Sequence, residues 1–135
     1  FYSSITIIVF LPVVIFLING LLILLFGDKT LDENRIDKLF HLFGGMSVYI
    51  SIAGVLWHLV HREIIILQDE NLFHFLVFGF LCFAVISWEI FEYLFFPIFQ
   101  DNPYSDTITD MICGLIGGLL AKLFFRRSVL GKNSS

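Results

Sequence analysis

The chain has 135 residues, 58% of them hydrophobic and only 15% Asp, Glu, Lys or Arg, with a formal net charge of −4. A soluble domain carries roughly a quarter charged residues, so the apolar excess here, which includes 17 Phe, has no soluble core large enough to enter. That excludes a soluble globular domain, and the absence of a basic patch leaves nothing for nucleic acid to bind.

The fold predicted from hydropathy is all-α: an integral membrane bundle of four transmembrane helices, with residues 1–135 forming one domain. The first span runs from about Ile5 to Phe26 and carries no charge. Pro12 and the Asn19-Gly20 pair are places where it is expected to kink, which membrane helices tolerate when neighbours re-satisfy the backbone. The chain opens on Phe1 rather than Met, which leaves room for a short preceding segment. This first apolar stretch is also longer than the h-region of a signal peptide.

A polar, turn-rich connection, Gly27 to Arg35, leads to a second span from about Ile36 to Val60. Beyond His61-Arg62-Glu63, the run Ile64 to Leu67 is too short to span and reads as interfacial. Asp69, Glu70 and Asn71 offer a helix start, with acids at the positive end of the dipole. The third span then runs from about Leu72 to Phe96, before Pro97. After the turn cluster at 100–105, Ser105 or Asp106 can N-cap a fourth span from about Thr107 to Phe125. Arg126, Arg127 and Lys132 after that span argue for a cytoplasmic C-terminus. The 97–106 loop, free of Lys and Arg, would then lie outside. Lys29, Arg35 and Lys38 run against that orientation, although they stand beside Asp28, Asp32, Glu33 and Asp37.

Cys82 and Cys113 lie in apolar segments at depths offset by roughly 9 Å at 1.5 Å per residue. They read as small buried hydrophobes and not as a disulfide. No nucleophilic Ser or Cys stands beside a candidate base, so covalent catalysis is unsupported.

Three polar pairs interrupt the spans: Asp37 with His41, Glu89 with Glu92, and Asp106 with Asp110. Each pair has i, i+3 or i+4 spacing, so both members project from one helix face. Ionisable side chains inside a span are costly and mark functional sites by default. The start of span two, the end of span three and the start of span four also face one side of the membrane. The six residues can therefore converge. Five carboxylates in a low dielectric cannot all stay ionised unaided: some carry protons, or a cation sits among them.

Acids with an imidazole suit a divalent metal such as Zn, Mn or Fe, and all-oxygen subsets suit Mg or Ca. Glu89 and Asp110 are the candidate catalytic bases, while Arg35 and Lys38 either pair with the acids or hold an anionic headgroup or phosphate. The plainer reading makes Asp37 and Asp106 dipole partners at helix starts, and Glu92 a headgroup-level residue. His58, His61 and His74, with Trp57, stand at the opposite face and read as interfacial anchors more readily than as a metal or proton relay. Gly44, Gly45, Gly114, Gly117 and Gly118 lie beneath the acids, where small residues let membrane helices approach.

The runs Arg-Ile-Asp-Lys-Leu-Phe-His-Leu-Phe-Gly-Gly (35–45), Trp-Glu-Ile-Phe-Glu-Tyr (88–93) and Tyr-Ser-Asp-Thr-Ile-Thr-Asp-Met-Ile-Cys-Gly-Leu-Ile-Gly-Gly (104–118) resemble the YjdF-like family of small bacterial inner-membrane proteins. More distantly they are similar to VanZ-like proteins. The resemblance implies a bacterial inner-membrane setting and a shared polar centre at Asp37, His41, Glu89, Glu92, Asp106 and Asp110. It implies no activity.

Three functions fit these residues. The first is a metal-dependent membrane hydrolase or phosphatase acting on a lipid headgroup or polyprenyl phosphate. The second is a small cation or proton transporter, formed by a homo-oligomer if one chain is too small for a pathway. The third is a non-catalytic membrane subunit, working with other subunits, whose polar centre only locks helices together.

Overall fold

The computed structural model describes residues 2–26, 36–95 and 103–130, which form four helices: α1 (Tyr2–Phe26), α2 (Ile36–His61), α3 (Glu70–Phe95) and α4 (Pro103–Leu130). Three of them are long and apolar enough to cross a membrane, over Ile36–His61, Glu70–Leu94 and Tyr104–Phe124, and Val9–Leu22 of α1 forms a shorter apolar segment. Large apolar side chains face outward along the bundle, among them Leu17, Phe83 and Phe124, each about 70% exposed. That is the distribution a lipid-facing surface requires. The connections at 27–35 and 96–102 lie outside the described residues, as do Lys29, Arg35 and Lys132 and the side chains of Arg126 and Arg127.

The helix ends follow local chemistry. α1 continues through Pro12 and Asn19-Gly20 without interruption. α2 closes in a Schellman arrangement: the Ile64 N–H donates to Leu59 O and the Glu63 N–H to Val60 O, with Glu63 in the left-handed region at φ 58°. The Ile64–Leu67 run is not helical, and Ile64 and Ile66 are exposed. Asp69 caps α3, its Oδ1 accepting from the Asn71 N–H at 2.8 Å. α4 starts at Pro103, so Ser105 and Asp106 lie in its first turn and are not its cap. Proline, with no N–H to leave unsatisfied, suits a first helical position.

α2 is the central helix: it packs against α1, α3 and most extensively α4. Its buried face is polar or small, comprising Asp37, His41, Gly44, Gly45, Ser47, Tyr49, Ser51 and Ala53. The glycines explain its closeness to α4. A Cβ on Gly45 would lie 1.9 Å from Gly114 O, and one on Gly117 would lie 2.0 Å from Leu42 O, so backbone meets backbone. A Cβ on Gly118 would lie 2.1 Å from Leu81 Cδ2, which brings α3 onto the same seam. The apolar core is small, with Tyr49, Ala53, Val77, Leu81 and Ala121 at its centre. Cys82 and Cys113 are both free thiols, half-buried.

Candidate functional site

Because α2 and α4 touch through glycine, the side chains one and two turns before those contacts are forced together. Asp37, His41, Glu89 and Asp110 are all buried, Asp110 to 3% exposure, while Lys38, Glu92 and Asp106 are half-buried. α2 supplies Asp37, Lys38 and His41, α3 supplies Glu89 and Glu92, and α4 supplies Asp106 and Asp110.

Two positive or potentially positive groups organise the acids. Lys38 Nζ pairs with Asp106 Oδ1, stands 2.8 Å from Asp110 Oδ1 and 3.4 Å from Asp37 Oδ2. His41 Nε2 lies 3.6 Å from Asp37 Oδ1, 3.8 Å from Asp110 Oδ2 and 4.0 Å from Glu92 Oε2. Asp37 and Asp110 each span the two centres, with one oxygen toward Lys38 and the other toward the imidazole. Lys38 thus orients the carboxylate oxygens that face His41. On the far side of the ring, Nδ1 lies 3.4 Å from Glu89 Oε1, which accepts no hydrogen bond among the described residues.

All five acids and the one histidine of the three pairs are therefore brought to one place. Lys38 lies among them, paired with carboxylates. A net-negative cluster captures the ammonium nearest to it, which is the first of the two roles read for Lys38 from the sequence. Two groups have one donor atom per residue within 4.8 Å of one another: Asp37, His41 and Asp110, and His41, Glu89 and Glu92. Five carboxylates face one ammonium and one imidazole, so full ionisation leaves the cluster strongly negative. Such a donor set can take up a cation or protons.

The opposite end behaves differently. His61 is exposed and stacks on Trp57 at 5.1 Å, His58 is half-buried, and no potential metal group among the described residues includes either. His74 parts from them. It is buried, with Nδ1 2.7 Å from the hydroxyl of the fully buried Tyr49 and Nε2 3.6 Å from Glu70 Oε1. The sequence reading missed Tyr49, because a tyrosine among apolar residues gives no sign of the helix it will face. Asn19, read only as part of a kink, is buried in α1 with Oδ1 unpartnered among the described residues, and Trp88, read only as part of the 88–93 run, stacks its indole on Phe16 at 4.1 Å. The position of Trp88 directly before Glu89 was the one available signal.

A family model described as "Predicted membrane protein (DUF2238)" matches residues 1–130, and the chain belongs to that family. No curated protein and no solved structure matches it.

Proposed function

We propose that this member of the predicted membrane protein family is a four-span protein whose carboxylate–histidine cluster binds a divalent metal ion beneath one face of the bilayer. We further propose that it acts there on a lipid headgroup or polyprenyl phosphate. The observation that carries the reading is the setting of His41 Nε2, with oxygens of Asp37, Asp110 and Glu92 at 3.6, 3.8 and 4.0 Å. In a tetrahedral site with bonds of about 2.0–2.1 Å, neighbouring donor atoms stand about 3.3 Å apart. Asp37, His41 and Asp110 offer one donor atom each within 4.8 Å of one another, and His41, Glu89 and Glu92 do the same, so either trio needs a contraction of up to about 1.5 Å to close on an ion.

One imidazole with carboxylates favours Zn, Mn or Fe over Mg. A metal there would polarise a phosphoryl oxygen or activate water. Glu89, on the other ring nitrogen, is placed to hold the imidazole's orientation and, with Asp110, is the candidate base. Phosphate binding by Lys38 requires it to exchange one carboxylate contact, and Arg35 in the preceding connection is the other candidate cation. The likeness of three segments to YjdF-like and VanZ-like proteins supports a bacterial inner-membrane setting. The basic C-terminal residues support a cytoplasmic C-terminus.

A second reading draws on Lys38. Its ion pairs with Asp106 and Asp110 tie α2 to α4, which a non-catalytic subunit would also need. Elemental analysis in mild detergent separates the two, with wild type beside a Glu89→Gln/Asp110→Asn variant, followed by phosphate release from a polyprenyl phosphate. The enzyme reading expects metal in the wild type, loss of it in the variant, and phosphate release only with metal. Metal-free wild type, with a variant that is merely less stable, would establish the structural reading. Cation flux in liposomes without phosphate release would move the assignment to a transporter.

A further inference from the structure

Glycine closes the seam between α3 and α4 only part of the way along. Gly118 receives Leu81, and Gly114 receives Val85, whose Cγ2 would lie 3.1 Å from a Cβ at that glycine. Between its start and Gly114, α4 carries no glycine, and larger side chains keep helices further apart. There the two helices leave a groove of about 470 Å³, walled by Ile86 and Ile90 of α3 and by Thr107 and Met111 of α4. Tyr93 and Tyr104 line it toward the helix ends, and Glu89 lines it as well.

The surroundings decide what fills this groove. Every residue lining it falls within the two stretches long and apolar enough to cross a membrane, Glu70–Leu94 and Tyr104–Phe124, so lipid surrounds it. Ile86, Ile90, Tyr93 and Tyr104 are all exposed, so it opens sideways onto the outward face of the bundle. Water is a poor occupant of a space walled by apolar side chains, because each molecule needs several polar partners. From Tyr104 to Met111 the groove extends about 10 Å at 1.5 Å per residue, and it starts at the tyrosines. Tyrosines at a span end sit where chains meet headgroups. The groove is also continuous with the candidate site: Glu89 belongs to the donor trio with His41 and Glu92, and its Oε1 lies 3.4 Å from His41 Nδ1.

We propose that this groove seats a hydrocarbon chain of a membrane lipid, with the polar head at the Tyr93 and Tyr104 end. Lipids thereby reach the carboxylate–histidine cluster sideways from the bilayer, between α3 and α4. The use of the seat rests on the reading of the cluster as a site acting on lipid headgroups. The seat itself needs neither ion nor reaction.

A monoacylglycerol with a diazirine part-way along its chain tests this, since its uncharged head is neither drawn nor repelled by the acids. The protein is held in a sterol-based detergent, which offers no competing chain, with metal removed by chelator. It is photolysed at increasing probe content, and labelled residues are located by mass spectrometry. Labelling at Ile90 and Met111 is expected to saturate and to fall when unlabelled monoacylglycerol is added. Labelling at Phe83 and Phe124, both exposed and outside the groove, is expected to rise in proportion to the probe. Thr107→Trp fills the groove from α4 and should weaken probe binding there about tenfold, which corresponds to about 1.4 kcal/mol. Ile90→Trp fills it from an exposed position on α3 and, read at Met111, keeps the test decisive if Thr107→Trp does not fold. Groove labelling that only rises in step with Phe83 and Phe124, or that neither substitution reduces, would overturn the proposal. No groove labelling in a protein that sediments as a dimer would give the groove to a second copy and overturn it equally. Metal content is measured on separate samples, so the seat and the metal site can each fail alone.

Discussion

Histidines stand at both ends of the bundle, yet among the described residues only the end around His41 joins acids and an imidazole from three helices. At one end His41 faces Asp37 of its own helix, Glu89 and Glu92 of α3, and Asp110 of α4, all within 4.0 Å. At the other, His61 leans on Trp57 of its own helix and is exposed. Residue type does not account for the contrast. What differs is helix approach: Gly45, Gly114 and Gly117 let α2 and α4 touch backbone to backbone just beneath the acids. Among the described residues, no such glycine contact lies beside His61. Closeness of helices, set by glycine, turns charged side chains into a site.

The largest effect is expected from Lys38→Met. It leaves Asp37, Asp106 and Asp110 without their shared ammonium, and breaking such a buried network costs about 3 kcal/mol. Denaturant unfolding in detergent should show that loss, and a variant as stable as wild type would remove Lys38 from the account.

Gly45→Ala comes next. Its Cβ would strike Gly114 O, so the helices must part, at about 1–3 kcal/mol. Gly79→Ala, with nothing within 4 Å of its Cβ, should do the opposite and stabilise the protein by up to about 1 kcal/mol. If both substitutions shift the melting temperature the same way, the seam between α2 and α4 is not what the glycines serve.

Tyr49→Phe removes the 2.7 Å hydrogen bond to His74 and should cost about 1 kcal/mol by the same unfolding assay. The smallest effect belongs to His61→Ala, within about 0.5 kcal/mol of wild type. A loss there as large as at Tyr49 would mean that the exposed end holds structure of its own.

Much of this arrangement was legible from spacing. The i, i+3 and i+4 pairs named their helix faces, span counting put the three pairs on one side, and the glycines marked where helices approach. The helix bounds followed hydropathy to within a few residues, except that α4 opens earlier, at Pro103, and runs on to Leu130. What could not be read was helix rotation. Tyr49 and His74 meet because α2 and α3 turn those faces together. Phe16 of α1 likewise stacks on Trp88 of α3 at 4.1 Å. Neither pairing follows from a period within one helix. Lys38 lay between two readings for the same reason: adjacency in sequence placed it near Asp37 but could not show Asp106 and Asp110 arriving from α4.

The central claim is that the end around His41, and not the end around His61, holds a cation. Its most direct test is equilibrium zinc or manganese stoichiometry on purified wild type, His41→Ala and His61→Ala in the same detergent. The account predicts about one bound ion per chain in wild type and His61→Ala, and none in His41→Ala, as expected when an imidazole ligand is removed. Equal binding by all three proteins, or binding lost only in His61→Ala, would contradict it.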